Sequence, residues 1–371
     1  MSDRYTHGPD QYPEDPFEPE GHGDGYDEEE APEEPRRRRS GVKMALIGLL
    51  VLVLVGVGAL VGFVAYLNHT VSTNISHDRL LPTEGAVITG EDGTLITAAP
   101  APDRDPDAGD SRNILLLGTD SRNPATERGR SDVIVLMHIS DDRESVHLIH
   151  FPRDLFVQIP GYDRRNKINA AYAYGGAPLL VQTLEQLIDV PIDNVAMVNF
   201  ETFTRMTDAI GGVDVEVAEA SPGFPEGVMH MDGETGLRFV RERYTLSQGD
   251  ISRGQRQQAF IKAVMLKALS RETLTNPARL AGLVDAATQN LVVDENFEVS
   301  EMRGLAFEMR NIRGDDIKFI TAPWQGIGMD DFAGSIVLMH EEQMEKLSAH
   351  LKTDTMDDYV DEVSPRQGFG R

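Results

Sequence analysis

The pattern of apolar and polar positions divides the chain into three parts. Residues 1–39 carry almost no aliphatic side chains, residues 44–67 carry no charged ones, and the remainder alternates short apolar runs with amphipathic stretches. The uncharged run of 24 residues exceeds the roughly 20 residues that an α-helix needs to cross the hydrocarbon core of a bilayer. The pattern therefore predicts one transmembrane helix between a polar tail and a globular region.

The globular region contains apolar runs of two periodicities. Short runs rich in β-branched residues predict strands, and they are "NILLLGTDSR" (113–122), "SDVIVLMHIS" (131–140), "SVHLIHFPRD" (145–154), "NVAMVNF" (194–200) and "VDVEV" (213–217). Runs with helical period predict helices, and they are "APLLVQTLEQLIDV" (177–190) and "ETFTRMTDAIGG" (201–212). This alternation predicts an α/β domain, from residue 112 to residue 351, whose central sheet is covered on both faces.

The flanking segments have the composition of loops and tails. Residues 1–39 hold 13 acidic and 5 basic residues with repeated Pro and Gly, so residues 1–40 are predicted to be disordered. Residues 68–111 are rich in Pro, Gly, Asp and Ala, which predicts a plain linker. Residues 352–371 are predicted to form a short C-terminal tail.

Five cations, Arg36 to Arg39 and Lys43, precede the apolar run, whereas the next Lys or Arg after it is Arg79. The positive-inside rule places the N-terminal tail in the cytoplasm and the globular region outside the cell membrane. A cleaved signal peptide is the alternative, but the apolar run is long and lies behind an extended acidic tail. We therefore expect an uncleaved single-pass anchor.

The overall charge and the absence of cysteine limit the chemistry. The formal net charge is −26 at pH 7, which argues against nucleic acid as a partner. The chain has no cysteine, so disulfides, thiolate metal sites and cysteine nucleophiles are excluded. Local clusters of arginine in so acidic a chain therefore become informative.

Charged residues fall at the ends of the predicted strands. Asp120 follows the first strand and Asp132 begins the second, and ligands of open α/β sheets bind beside strand ends. Two aspartates without thiols predict a hard, oxygen-liganded cation, which near phosphate is Mg²⁺, with Mn²⁺ as an alternative. Either aspartate alone also suits a turn. His138, His147 and His150 are expected to be strand residues rather than metal ligands.

The arginines of this region point to an anion. They are Arg122, Arg130, Arg153, Arg241, Arg243, Arg253 and Arg256. Guanidinium groups bind two oxygens at once, so this set predicts phosphate or pyrophosphate. The alternative is a set of surface cations balanced by local carboxylates.

The stretch "GDISRGQRQQAFIKAV" (249–264) predicts a helix with charged groups on its inward face. On a helical wheel Asp250, Arg253 and Gln257 share an arc that continues into apolar Val264. We expect the first turns to line a ligand site and the later turns to enter the core. Arg256 lies further round the wheel and is expected to be only a rim contact.

Seven ordered blocks resemble the LytR–CpsA–Psr family. They are "NILLLGTDSR", "GRSD", "FPRD", "KINAAYAYGG", "DAIGGVDVEV", "GLRFVRERY" and "GDISRGQRQQ". The resemblance covers residues 111–270 well and extends more weakly to 351. It implies a three-layer α/β/α sandwich with a central mixed sheet and an apolar cavity for a lipid. It also implies a membrane-anchored extracytoplasmic phosphotransferase that moves a glycopolymer from a polyprenyl-pyrophosphate carrier to peptidoglycan.

The same resemblance assigns roles to residues of this chain. Asp120 and Asp132 match the Mg²⁺-associated aspartates of the family. The substrate-binding and catalytic positions around the pyrophosphate correspond to Arg130, Arg153, Lys167, Arg241, Arg243, Asp250, Arg253 and Gln257. The general base is left open among Asp120, Asp132 and Asp250.

Two other functions use the same residues. One is a pyrophosphatase that releases the carrier by attack of water, and the other is a non-catalytic cell-envelope regulator that binds polyprenyl phosphate. The polymer is also open among teichoic acid, arabinogalactan and capsule. The acidic, Gly- and Pro-rich tail resembles those of actinobacterial members, which favours arabinogalactan or a related wall glycan.

Overall fold

The computed structural model of the protein describes residues 40–119, 131–242, 245–247 and 250–362. Within these ranges the side chains of residues 40–48, 132, 200, 250, 251 and 361 are not described. The chain divides into two units, Met1–Ala59 and Leu60–Arg371. Residues 1–39 of the predicted disordered tail lie outside the described residues, and its last residue, Ser40, begins the first helix.

The predicted transmembrane segment is part of one long helix, α1 (Ser40–Asn74). Its stretch Leu49–Asn74 has a mean hydropathy of 2.7 and is long and apolar enough to cross a membrane. It is the one such helix among the described residues. The helix continues seven residues beyond the predicted end at residue 67, so the polar segment 68–74 is helical as well.

The remaining elements alternate along the second unit. The strands are β1 (Ser76–Asp78), β2 (Val87–Thr89), β3 (Leu95–Thr97), β4 (Arg112–Thr119), β5 (Ser131–Ile139), β6 (Val146–His150), β7 (Phe156–Gln158), β8 (Arg165–Lys167), β9 (Asn194–Asn199), β10 (Val213–Val217), β11 (Gly227–Met231), β12 (Val292–Asp294), β13 (Ile317–Thr321), β14 (Trp324–Asp330) and β15 (Gly334–Met339). The helices are α2 (Ile168–Ile188), α3 (Phe200–Ala209), α4 (Gly233–Arg241), α5 (Asp250–Ala268), α6 (Arg271–Leu274), α7 (Pro277–Thr288), α8 (Val299–Glu308), α9 (Glu341–Lys352) and α10 (Met356–Glu362). Three short 3₁₀ turns are Pro106–Ala108, Met309–Asn311 and Gly314–Asp316.

The central sheet has seven strands in the order β1-β12-β9-β4-β5-β6-β13. The pairs β1–β12, β9–β4 and β6–β13 are parallel, and the pairs β12–β9, β4–β5 and β5–β6 are antiparallel. The predicted mixed sheet is therefore confirmed. The predicted strand β10 instead pairs with β11 in a separate two-stranded sheet.

Both faces of this sheet are covered, as the alternation of strand side chains predicts. Leu115 and Leu117 of β4 belong to one cluster with Leu180 of α2 and Leu347 of α9. Their neighbours in β4 point the other way, and Ile114 packs in a second cluster with residues of α5 and α8. The result is the three-layer α/β/α arrangement that was predicted.

Two segments predicted as linker and tail contribute to the core. Within residues 68–111, β1 joins the edge of the sheet, and Leu80 and Ile96 are buried in the main cluster. The buried carboxylate of Asp294 accepts hydrogen bonds from the backbone N–H of Leu80 at 3.1 Å and of Leu81 at 2.9 Å. These bonds satisfy the backbone N–H groups of this segment. It has too few apolar residues for its place in the core to be recognised from hydrophobic periodicity.

The predicted tail behaves similarly at its start. Met356 and Tyr359 of α10 are buried, and the Tyr359 ring lies 5.6 Å from the ring of His350 in α9. The spacing of i and i+3 puts both apolar side chains on one face of a single short helix. Residues 363–371 lie outside the described part of the chain.

Burial makes Glu185 of α2 a pH-sensitive element of the fold. Its side chain is 4% exposed, and Oε1 accepts a hydrogen bond from the backbone N–H of Ile192 at 3.0 Å. Burial raises the pKa of Glu185 to about 7. The unfolded chain ionises this carboxyl from pH 4.5 upward while the folded chain keeps it protonated, so stability is lost as the pH rises towards 7.

We expect Glu185→Gln to stabilise the protein at pH 8 by up to about 3 kcal/mol, because the amide keeps the acceptor oxygen without the penalty for ionisation. The gain should shrink at pH 5, where most of the penalty is absent. Urea unfolding of the detergent-solubilised protein at both pH values measures it. The exposed Glu342 of α9, changed to Gln, is the control, and equal effects at the two pH values would contradict the expectation.

Candidate functional site

One edge of the central sheet collects the strand ends singled out by the sequence. β4, β6 and β9 end towards this edge, whereas β5 begins there, so Thr119, Asn199 and Ser131 lie side by side, and His150, at the end of β6, pairs with Val135 of β5. Thr119 pairs with Ser131 on one side and with Asn199 on the other. This is the carboxyl edge at which open α/β sheets bind ligands.

A β-bulge interrupts the β4–β5 ladder at this edge. Gly118 pairs with Val133, whereas Thr119 pairs with Ser131, so Asp132 is the extra residue between two paired positions. Bulges end regular pairing and are common beside active sites. The backbone of Asp132 therefore occupies an irregular position of the kind that functional sites use.

The predicted metal pair is only partly described. Asp120 lies outside the described residues, and for Asp132 only the backbone is described. Asp120 follows Thr119 directly, Asp132 follows Ser131, and those two predecessors are paired across β4 and β5. The register thus places Thr119 and Ser131, the residues before the two aspartates, opposite each other. Over the described part of the chain there is no group of three or more His, Asp or Glu placed to hold a metal.

Two predicted cations meet on one carboxylate just after β6. Asp154 Oδ1 lies 3.1 Å from Lys167 Nζ, and Asp154 Oδ2 lies 3.5 Å from Arg153 Nε. The side chains are 22% exposed for Arg153 and 17% for Asp154. Both side chains are basic and lie on one carboxylate, and guanidinium and ammonium groups are common ligands of phosphate oxygens. Arg153 and Lys167 are therefore brought together.

The backbone makes this cluster rigid. The carbonyl of Arg153 accepts a hydrogen bond from the N–H of Asn169 at 3.1 Å, and the carbonyl of Asp154 accepts one from Val337 at 2.8 Å. The hairpin of β7 and β8 returns the chain so that Lys167, at the start of α2, faces Asp154. Asp154 was not among the predicted site residues, although its place in "FPRD", next to Arg153, was the available signal.

Helix α5 carries the predicted inward face. Val264 is fully buried, and Gln257, two turns before it, lines a cavity beside the sheet. The amide of Gln258 donates a hydrogen bond to Nδ1 of the buried His150 at the end of β6. Arg253 is partly buried one turn before Gln257. The first turns of α5 therefore lie against the edge of the sheet, while for Asp250 only the backbone, at the start of the helix, is described.

Arg256 is buried, so the expectation that it is only a rim contact was wrong. It is 5% exposed, and its guanidinium carbon lies 4.6 Å from the ring centroid of Phe239. Its Nη2 donates to the carbonyl of Glu219 at 2.7 Å and to Ser221 Oγ at 2.9 Å. α5 packs against β10 and α4 as well as against the sheet, so a second face of the helix is buried. Arg256 is thus built into the domain rather than available to a phosphate.

The other predicted arginines are less constrained. Arg241 is exposed at the end of α4. Arg130 and Arg243 lie outside the described residues. Among the described residues, the structure therefore brings together Arg153 and Lys167.

An apolar cavity of about 250 Å³ lies between the sheet and helices α3, α4, α5 and α7. Leu116, Val135 and Val198 form its floor on the sheet, and Phe203 and Leu237 line it from the helices. Polar side chains reach it from few positions, which include Asn199 at the end of β9 and Gln257 of α5. The cavity therefore combines an apolar interior with polar groups at the edge where the strands end.

The three histidines are structural, as expected. His138 and His147 are neighbours across β5 and β6, and their Nε2 atoms bond Asp354 at 2.9 Å and Asp357 at 3.1 Å. His150 points to the other face of the sheet, towards α5. Burial lowers the pKa of His147 to about 4 and of His150 to about 3, so both are neutral at physiological pH.

The fold matches solved structures with similar sequences. The structure of TagV from B. subtilis superposes with a TM-score of 0.54 at 25% sequence identity, covering 66% of this chain and 97% of that one. A structure described as TagT bound to LI-WTA gives a TM-score of 0.52 at 26% identity, covering 67% of this chain and 92% of that one.

Curated relatives match more than half of the chain. The polyisoprenyl-teichoic acid–peptidoglycan teichoic acid transferase TagU of Halalkalibacterium halodurans is 33% identical over 217 residues, 56% of this chain and 71% of that protein. The TagU of Bacillus cereus (strain ATCC 14579) is 35% identical over 194 residues, 51% of this chain and 63% of its own length. The cell wall biosynthesis protein LcpA of Corynebacterium glutamicum is 29% identical over 282 residues, 62% of this chain and 54% of its own length.

A single family profile covers the anchor end, the sheet and the helices around the cavity. The LytR_cpsA_psr family model matches residues 68–353. That range includes every described residue of the strand-end edge, the Arg153–Asp154–Lys167 cluster and the apolar cavity. The chain therefore belongs to the LytR_cpsA_psr family.

Proposed function

We propose that this protein transfers a glycopolymer from a polyprenyl-pyrophosphate carrier to peptidoglycan at the outer face of the cell membrane. The observation that carries the proposal is the apolar cavity. Its polar end lies at the edge of the sheet that also carries the cationic cluster, which is formed by Arg153 and Lys167 on Asp154. A donor with an apolar tail and an anionic head has the matching chemistry. The similarity to TagU, a polyisoprenyl-teichoic acid–peptidoglycan teichoic acid transferase, and to LcpA, a cell wall biosynthesis protein, supports it.

The cavity is suited to the prenyl tail. Its walls offer almost no hydrogen-bonding groups, so water gains little there. Each methylene moved from water into such surroundings contributes about 0.8 kcal/mol, and a prenyl chain supplies many. We expect the tail to occupy the space between Val135 and Phe203, with the pyrophosphate held at the Asn199 end.

The cationic cluster is suited to the pyrophosphate. Arg153 and Lys167 already lie on the Asp154 carboxylate, which fixes both at little further entropic cost when an anion binds. Arg130, Arg241, Arg243 and Arg253 are proposed to complete the site. In the reaction the acceptor hydroxyl attacks the phosphorus bonded to the glycan, the bridging P–O bond breaks, and polyprenyl phosphate leaves. Cations placed beside the leaving phosphate stabilise the charge that develops on it.

Asp120 and Asp132 are the residues proposed to hold Mg²⁺, or Mn²⁺ as the alternative. The two aspartates directly follow Thr119 and Ser131, which pair with each other across β4 and β5, and two carboxylates are the oxygen donors that such ions take. The ion would supply charge neutralisation for the pyrophosphate. The proton of the acceptor hydroxyl is proposed to go to one carboxylate among Asp120, Asp132 and Asp250.

A reconstituted assay tests the proposal and separates it from its two alternatives. The full chain is placed in vesicles with a polyprenyl-pyrophosphate-linked glycan, of teichoic-acid or arabinogalactan type, and peptidoglycan fragments. Mass spectrometry then follows both products. We expect glycan phosphate on peptidoglycan in equal amount to released polyprenyl phosphate. Release without any transfer would identify a pyrophosphatase, and binding without release would identify a non-catalytic regulator.

A further inference from the structure

The end of helix α1 is attached firmly to the folded domain. Most of its less exposed residues recur at helical spacing and form one stripe, composed of Phe63, Leu67, Thr70, Val71 and Asn74. Only Ile75 separates α1 from β1, and the N–H of Ser76 donates to the carbonyl of Leu291 at 3.0 Å. A helix followed by one residue and then by a strand of the main sheet leaves no slack at this junction.

Asn74 makes the polar contact that fixes this end. Its side-chain amide lies 3.1 Å from Asp285 Oδ1 and 3.1 Å from Thr288 Oγ1, both near the C-terminal end of α7. The bond to Asp285 is charge-assisted, since the carboxylate accepts it, and such bonds are stronger than bonds between neutral groups. The other oxygen of Asp285 accepts from Gln289 at 2.9 Å, which holds the carboxylate in place.

The same turn of α7 forms a wall of the apolar cavity. Ala287 lies between Asp285 and Thr288 in sequence and lines the cavity, as does Leu291 just after the helix. Ile75, next to Asn74, packs in the cluster that contains Leu291 and the cavity residue Met265. A few residues of α7 therefore contact the end of α1 on one side and line the cavity on the other.

We propose that Asn74 is a positioning residue that holds the cavity next to the point where α1 leaves the membrane, so that a membrane-borne prenyl lipid enters without crossing water. The inference rests on the proposed function. Every methylene of a prenyl tail that passes through water raises the barrier to transfer. Because α7 both holds the end of α1 and forms a wall of the cavity, this path is shortened. A domain joined to its anchor by a flexible linker would instead present its cavity in every orientation.

The test compares two donors in full-length protein reconstituted in vesicles. One donor carries a long prenyl chain and stays in the bilayer, and the other carries a two-isoprene chain and is water-soluble. We expect Asn74→Ala to lower kcat/KM for the long-chain donor by about tenfold, the factor equivalent to the roughly 1.4 kcal/mol of one hydrogen bond to a carboxylate. Turnover of the short-chain donor should stay unchanged, because the reacting groups are unaltered.

Ser72→Ala is the matched control, since Ser72 is exposed and its hydroxyl donates to the carbonyl of Asn68 within α1. Asp285→Ala is the second variant, and it should cause the same loss without adding to that of Asn74→Ala. Equal losses with both donors, or unchanged long-chain turnover in both variants, would overturn the inference. Failure of the wild type to turn over either donor would instead overturn the proposed function, and the inference with it.

Discussion

The Arg153→Ala variant is expected to lose about 10²- to 10³-fold in kcat for glycopolymer transfer, with a smaller change in KM. Arg153 Nε lies 3.5 Å from Asp154 Oδ2 at the strand-end edge, so its guanidinium is fixed before substrate binds. A cation fixed in this way stabilises the leaving phosphate more than the ground-state pyrophosphate, because the charge on the leaving oxygen grows in the transition state. The reconstituted assay with the long-chain donor measures both constants.

Arg165→Ala is the control for this experiment. Arg165 belongs to the neighbouring strand β8, its side chain is 49% exposed, and it lies 3.6 Å from Glu341. Arg165 carries the same charge as Arg153 but is more exposed, so removing its guanidinium should change kcat by less than about twofold. Arg153→Lys should restore only part of the rate, since an ammonium keeps the charge but not the planar fork. Full activity of Arg153→Ala would remove this residue from the mechanism.

The layered fold was predictable because its strongest elements are long and periodic. β4, β5 and β6 are continuous apolar runs, and each begins and ends within a few residues of its predicted bounds. Helix α2 shows where periodicity is insufficient. It was predicted from residue 177 but starts at Ile168, because Gly176, at φ 69°, joins two helical segments across a kink. Glycine adopts this conformation at little energetic cost, and the hydrophobic pattern therefore predicts a helix boundary at this position.

The candidate site was predictable in part for the same reason. Arg153 stood out because an arginine directly after a buried strand has no room to be a plain surface charge. Its link to Lys167 passes through Asp154, and no pattern predicts that a hairpin brings Lys167 back to a carboxylate 13 positions earlier in the chain. Arg256 was misplaced because the helical wheel assumed one buried face, whereas α5 is covered on two sides.

Filling the apolar cavity gives the second large effect expected. Ala287→Phe places an aromatic ring in the cavity from the α7 side. If the ring takes the place of about four methylene-sized groups of the lipid tail, the loss is about 3 kcal/mol, or roughly a hundredfold in kcat/KM. The short-chain donor, which needs less of the cavity, should lose much less. Steady-state kinetics with both donors measures the difference.

Ala281→Phe provides the comparison, since Ala281 lies on the same helix but is not among the residues that line the cavity. Filling a cavity with an apolar group tends to preserve or raise stability, so Ala287→Phe should unfold no earlier than the wild type. Retained stability with selective loss of the long-chain donor would place the prenyl tail in this cavity. Undiminished long-chain turnover in Ala287→Phe would show that the tail lies elsewhere, even if Arg153 proves essential, because the cationic cluster binds the head of the donor whichever path its tail takes.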